Sequence, residues 1–399
     1  MQCVRIPAVA ASTFPDGFLW GTATAAHQVE GGNWNNDWWA WEHAEDTACE
    51  EPSGDACDHL GRYPEDLDLV AELNLGAYRF SLEWSRIEPE YGEFSTANLD
   101  HYRRMVAACR DRDLVPVVTF HHFTNPRWVD AEGGWANPAT ADRFAAFCER
   151  AVGHFGDELG MACTLNEPNI VSLMGWLMGM FPPGQRDDFE GYLQVTANLQ
   201  DAHRKAYDAL KAGPGDFPVG LTLSMSDWAA EPGSEHLVET FRAQHEDTFL
   251  ETARGDDFVG VQAYSRNRVG PRGVVGPEPG VEVLPMGYEY WPGAAEAAVR
   301  HAAEVTGTPV YVTENGIGTD DDEQRIRYLR SSLQGVARTA ADGLDVRGFF
   351  CWSLLDNFEW TFGYRMKFGL VAVDRATQVR TVKPSGRWFG DVARTNRVD

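Results

Sequence analysis

Eight short apolar runs, each followed by a stretch of helical periodicity or a long connection, set the strongest limit on how this chain can fold. They are Phe18–Ala23, Ala77–Leu82, Leu114–Phe120, Met161–Leu165, Pro218–Leu223, Phe258–Tyr264, Pro309–Thr313 and Gly348–Leu354. Most are nearly continuous in apolar residues, as strands buried on both faces of a parallel sheet are. Between them, Tyr102, Met105, Val106 and Cys109 recur at helical spacing. So do Phe144, Phe147, Cys148 and Ala151, preceded by Asn137-Pro138 as N-cap and first-turn proline. Ile326, Leu329, Leu333 and Val336 form a third stripe. Strands alternating with helices predict an α/β fold, a closed (β/α)8 TIM barrel. An open doubly wound sheet is the alternative, but no Gly-x-Gly-x-x-Gly follows the first run. No linker or low-complexity run divides the chain, so residues 1–399 are expected to form one domain, with about 1–13 as an N-terminal extension. Residues 31–58, which hold Trp34, Trp38, Trp39 and Trp41, and the Gly- and Pro-rich residues 265–293 read as long loops on the C-terminal rim, where barrels build their sites.

The formal net charge of −26 makes nucleic acid and anionic membranes poor partners and favours neutral or cationic substrates. No apolar run approaches the roughly 18 residues of a spanning helix. The opening Met1–Ala10 is short and broken by Pro7, unlike a secretory signal. The seven cysteines are scattered, with no Cys-x-x-Cys pair, which points to reduced thiols, a cytoplasmic location and no zinc site. Cys49 and Cys57 share a loop, but that compartment argues against a bond between them.

Two of the runs end in glutamates: Thr164-Leu165-Asn166-Glu167-Pro168 and Tyr311-Val312-Thr313-Glu314-Asn315-Gly316. On one barrel rim Glu167 and Glu314 would face each other, and two facing carboxyl groups with separated pKa values can cleave a glycosidic bond. Other polar and aromatic residues fall at or after strand ends: Gln28, Arg79, His121-His122, Tyr264, Trp352 and Glu359-Trp360. Any one alone reads as a rim residue satisfied by its loop; the recurrence around the rim favours a site.

With these motifs the chain resembles glycoside hydrolase family one, the retaining β-glucosidase and β-galactosidase group. The resemblance runs from Phe14-Pro15-Asp16-Gly17-Phe18-Leu19-Trp20-Gly21 through Tyr78-Arg79-Phe80-Ser81 and the two glutamate motifs. It ends with Trp352-Ser353-Leu354-Leu355-Asp356-Asn357-Phe358-Glu359-Trp360 and Lys383-Pro384-Ser385. It implies a retaining mechanism with Glu167 as acid/base and Glu314 as nucleophile, their carboxyl groups roughly 5–5.5 Å apart. Arg79 and Tyr264 would keep Glu314 ionised, and Asn166 would hydrogen-bond the sugar 2-hydroxyl. It also implies glycone contacts from Gln28, His122, Trp352, Glu359 and Trp360, aglycone contacts from Asn169, Trp176 and Tyr288, and no metal or organic cofactor. His121 and the tryptophans of residues 31–58 are expected to pack.

Four positions depart from the family pattern: Gln262 for the usual Asn, Phe123 for Trp, Tyr288 for the Trp of Met-Gly-Trp, and Asn169 for Trp. Members that take 6-phosphoglycosides carry Ser, Lys and Tyr where this chain has Glu359, Met366 and Phe368, so the expected glycone is unphosphorylated. The reading is a β-glucosidase acting on small β-glucosides. β-Galactosides, β-fucosides and transglycosylation are alternatives within the family. A sugar-binding protein without activity is the rival, and it should lack one of the glutamates. The sequence leaves the oligomeric state open.

Overall fold

The computed structural model describes residues 12–399. Its centre is a ring of eight parallel strands: β1 (Leu19–Ala23), β2 (Ala77–Ser81), β3 (Val115–His121), β4 (Met161–Asn166), β5 (Val219–Ala230), β6 (Phe258–Gly270), β7 (Val310–Asn315) and β8 (Val346–Trp352). Each pairs with the next in chain order, and β8 pairs with β1, so the barrel closes. The doubly wound alternative is thereby excluded.

The three apolar stripes are buried on helices Thr96–Arg110, Ala139–Phe155 and Asp322–Ala341. The second of these begins one residue later than expected. Pro138 is its N-cap, and Asn137 Oδ1 accepts from the backbone of Ala139 at 3.0 Å. Two other expectations also need correction. β5 and β6 extend well past the barrel because Asp227–Ala230 pair with Arg266–Val269, and β6 then folds back through a hairpin onto Gly273–Val275. Residues 265–270 and 273–275 are therefore strand, and most of 276–293 is loop. Residues 31–58 contain the helix Asp37–Glu42, capped by Asn36 Oδ1 accepting from Trp39 N at 2.8 Å. Within it Trp38 is buried, whereas Trp34, expected to pack, stands 63% exposed. Of the expected extension over residues 1–13, residues 1–11 lie outside the described residues, and Ser12–Thr13 pair antiparallel with Arg397–Val398.

Successive side chains on a strand alternate between barrel interior and helix layer. Ala77, Val117, Met161, Cys163, Phe258 and Phe350 pack together as a plug in the barrel interior. Their neighbours Tyr78, Val118, Ala162, Val259 and Phe349 belong to the larger core that includes the helices. A Cβ on Gly21 would collide with the Phe350 ring, so the plug needs glycine there. Truncating Phe350 would cost about 3–5 kcal/mol by the usual scale for buried aromatics.

Alternation alone would turn both motif strands the wrong way. Val310 and Val312 join the helix-side core, which predicts the same direction for Glu314. β7 carries one extra residue opposite Val261–Gln262 of β6, and this reverses it. β4 carries a matching irregularity between Cys163 and Asn166 against β5, which turns Asn166 inward. A bulge of one residue re-aims every side chain beyond it.

Candidate active site

Above the plug, Arg79 is the first polar side chain to fill the barrel. It is 1% exposed and fully engaged. Its Nη1 donates to Glu314 Oε1 at 2.6 Å, Nη2 to Asn166 Oδ1 at 2.6 Å, and Nε to Thr119 Oγ1 at 3.0 Å. A charge this deep survives because each donor has a partner and Glu314 supplies the counter-charge.

Glu314 receives two more donors. Tyr264 Oη donates to Oε2 at 2.6 Å, and Gln262 Nε2 to Oε1 at 3.0 Å. Tyr264 is itself held from behind, since Tyr328 Oη donates to its carbonyl at 2.6 Å. Burial pushes the Glu314 carboxyl above the usual carboxylate range, while Arg79 and the Tyr264 hydrogen bond pull it back down.

Gln262 does more than stand in for a shorter amide. Its Nε2 also donates to Asn166 Oδ1 at 2.9 Å. That oxygen already accepts from Arg79, so the Asn166 amide has one orientation, with Nδ2 turned 3.3 Å from His122 Nε2. The extra methylene lets one side chain tie both motif strands together. Thr119 was missed as a site residue, and Gln262 was singled out only as a departure from the family pattern, with no contact assigned to it. Interior alternation with Val117 was the available signal for Thr119; nothing in the sequence indicated the reach of Gln262.

Glu167 follows β4 in a left-handed backbone conformation, φ 45° and ψ 57°, just ahead of Pro168 at the first turn of the helix Pro168–Ser172. This costs a side chain of its type on the order of 1–3 kcal/mol. Its backbone N–H donates to Thr222 O at 2.9 Å, and its own carbonyl accepts from Ile170 N at 2.9 Å, which fix the turn. The residue is half-buried. Its carboxyl is pushed well above the ordinary range, first by desolvation and then by the charge of Glu314. Arg79 and the Ser224 side chain offset part of this. The two carboxyl groups therefore separate, with Glu167 raised further than Glu314.

The remaining candidates form one wall. His122 stacks on Trp352 and Trp360, with centroids 5.9 and 6.1 Å away and planes within 19° and 15°. Gln28 Nε2 donates to Phe358 O at 2.7 Å, to Asn357 Oδ1 at 3.2 Å and to Glu359 Oε2 at 3.4 Å. Burial and the charge of Glu314 push Glu359 up to about 8, against hydrogen bonds from Trp352 and Gln28. At neutral pH Glu359 is thus a neutral acid, able to donate as well as accept. A neutral acid there repels a phosphate less than a carboxylate would. What remains against phosphate is that the side chains of Met366 and Phe368 are apolar and carry no charge to hold it.

His121 is a packing residue, bonded through Nε2 to Asn125 Oδ1 at 3.1 Å and set edge-on to Trp135. Of the aglycone candidates, Asn169 Nδ2 donates to Ser224 O at 2.8 Å, beside the strand that faces Glu167. Tyr288 Oη lies 3.4 Å from Met286 Sδ, and Met286 packs in the cluster of Trp352 and Phe368, against which Tyr264 also packs. Trp176 lines a cavity that neither glutamate lines.

A family model described as Glycosyl hydrolase family 1 matches residues 10–269 and 277–398. The chain belongs to that family. As a family 1 member it is a glycoside hydrolase on a TIM barrel, and its resemblances extend end to end. It is 33% identical to beta-glucosidase A of Thermotoga maritima, over 97% of this chain and 99% of that one. It is 34% identical to a beta-glucosidase of Agrobacterium sp., over 97% and 96%. Among solved structures, a beta-glycosidase from Pyrococcus horikoshii superposes with a TM-score of 0.92 at 33% identity, covering 98% of this chain and 96% of that one. Among the described residues, no helix is long and apolar enough to cross a membrane. Cys49 and Cys57 carry free thiols.

Proposed function

We propose that this family 1 enzyme hydrolyses small, unphosphorylated β-glucosides with retention, as a single catalytic domain over residues 1–399 working in the cytoplasm. Glu314 attacks the anomeric carbon while Glu167 gives its proton to the leaving oxygen. Once Glu314 is esterified its charge is gone, the carboxyl of Glu167 becomes more acidic, and Glu167 activates water to release the sugar. Arg79, Tyr264 and Gln262 hold the attacking carboxylate. Asn166, with its amide nitrogen free of Arg79, meets the sugar 2-hydroxyl. Gln28, His122, Trp352, Glu359 and Trp360 hold the glycone, and Asn169 and Tyr288 flank the aglycone. These carboxyl groups supply acid, base and nucleophile with no cofactor.

The observation that carries this reading is the unequal treatment of the two glutamates, one held by a buried cation and one left to keep a proton. The beta-glucosidase names of full-length relatives support glucose as the glycone. The test is a panel of aryl β-glycosides with NMR of the first-formed sugar. β-Glucose as first product, and glucoside kcat/KM above that of galactoside and fucoside, is the expected result. First-formed α-glucose would overturn retention, and a better galactoside would move the assignment to β-galactosidase.

A further inference from the structure

Behind the aromatic wall lies a cavity of about 330 Å³, within the size range of small-molecule sites. None of Glu167, Glu314, Tyr264 or Glu359 lines it. Trp38, Phe123 and Phe181 form the partition. All three line the cavity, and all three pack on Trp360, with ring centroids 4.4, 5.1 and 6.3 Å away. Phe123 and Trp360 both sit in left-handed backbone, at φ 70° and 52°. Bulky residues rarely adopt that conformation, and strain of this kind collects at ligand clamps.

The lining has a definite chemistry. Trp38, Trp135 and Trp176 bring indoles, Asp37, Asp130 and Asp188 carboxyl groups, Asn125 and Gln185 amides, and no Lys or Arg takes part. Such a set has no partner for phosphate or carboxylate. It suits a neutral ring with apolar faces and hydroxyl edges. Asp37 is held rigidly: Oδ1 accepts from the backbone of Trp38 and Asn125 at 2.8 and 2.9 Å, and Oδ2 from the Asn125 amide at 2.8 Å. Burial pushes it up to about 8, so at neutral pH it can also donate to a hydroxyl.

We propose that this cavity binds a monosaccharide of the glucose type as a second sugar site, separate from the cleft. The choice of sugar rests on the β-glucosidase reading; the preference for a neutral hydroxylated ring rests on the lining.

The intact protein is first treated with a 2-deoxy-2-fluoro-β-glucosyl fluoride, which fills the cleft by esterifying Glu314. The mass of the adduct reports on the β-glucosidase reading by itself. Glucose is then titrated against the adduct, or against untreated protein should no adduct form, with tryptophan fluorescence as readout. Two variants locate the binding. Gly134 is buried and lines the cavity, and a Cβ placed on it meets open space. Its φ of 56° is one that Asn tolerates, so Gly134→Asn intrudes into the cavity. Asp130→Ala removes an exposed carboxylate at the mouth.

The expected result is saturable glucose binding to the blocked protein, weakened at least about tenfold in Gly134→Asn and about threefold in Asp130→Ala. Both variants keep normal aryl β-glucoside turnover. The proposal is overturned if the blocked protein shows no saturable response, or if Gly134→Asn binds glucose as tightly as the unaltered protein.

Discussion

At the end of β7, Glu314 meets a guanidinium, a phenol and an amide, all within 3.0 Å. At the end of β4, Glu167 meets no such set and carries a strained backbone instead. The two carboxyl groups have the same chemistry and burial pushes both up, yet Arg79 and Tyr264 pull Glu314 back while Glu167 is left well above the ordinary range. The asymmetry originates in Arg79, whose Nη1 is committed to Glu314 and whose Nη2 is committed to Asn166, the neighbour of Glu167 rather than Glu167 itself. The ion pair with Arg79 and the Tyr264 hydrogen bond thus hold Glu314 below Glu167, and the direction of the proposed reaction follows.

The most severe way to break that asymmetry is to delete the charged partner. Glu314→Ala should lower aryl β-glucoside hydrolysis by on the order of 10⁵-fold. Added azide should restore turnover and give the α-glucosyl azide. Near-normal steady-state activity would remove Glu314 from the nucleophile role.

Deleting the protonated partner should be selective. Glu167→Ala should slow alkyl glucosides, whose leaving groups need a proton, by about 10²–10⁴. Activated aryl glucosides should suffer much less in the glycosylation step. Equal losses across a leaving-group series would argue against the acid role.

Gln262→Leu leaves both glutamates but removes the amide that spans them. A hydrogen bond to an ionised group is worth about 1.5–3 kcal/mol, so kcat/KM should fall roughly 10- to 100-fold. Unchanged kcat/KM in steady-state assays would reduce Gln262 to a spacer.

Tyr264→Phe tests the sign of the charge stabilisation. The phenol donates to the ionised form of Glu314, so its loss raises the pKa of Glu314. The acid limb of the kcat/KM profile should move to higher pH, and an unmoved limb would contradict this.

The smallest effect concerns stability. Glu359 is raised from 4.5 to about 8, so between those values the folded state holds a proton that the unfolded state has released. Stability therefore falls as pH rises across that window. Glu359→Gln lacks this dependence, so its melting temperature should gain on that of the unaltered protein from pH 4.5 to 8. A constant difference in thermal unfolding would show that Glu359 is not held neutral.

Much of this arrangement was legible in the residues. The apolar runs located every barrel strand to within a few residues at the start, because a strand buried on both faces leaves little choice but Val, Leu, Ile, Phe and Ala. They misjudged where β5 and β6 stop. The continuing segments Asp227–Ala230 and Arg266–Val269 are mixed in polarity and are held by pairing with each other, a long-range contact without a local pattern. Trp34 was misread for a similar reason, since an indole among other indoles suggests packing and the turn of the chain decides its exposure. The aromatic wall was partly legible: the motif residues Trp352 and Trp360 announced it, whereas the layer of Trp38, Phe123 and Phe181 behind it came from three distant segments.

The sequence by itself determined which groups are available: two glutamates at strand ends, one arginine in an apolar strand, and a glutamine where an asparagine is usual. Only the tertiary structure decided what these groups do to one another. Strand periodicity alone sends Glu314 and Asn166 toward the helices; bulges in β7 and β4 turn them to the interior, where Arg79 waits. A bulge is a mismatch between two strands, so it belongs to neither sequence segment alone. The charge state of each glutamate likewise depends on which partners the closed barrel brings within hydrogen-bond reach, and on the burial that makes those partners count.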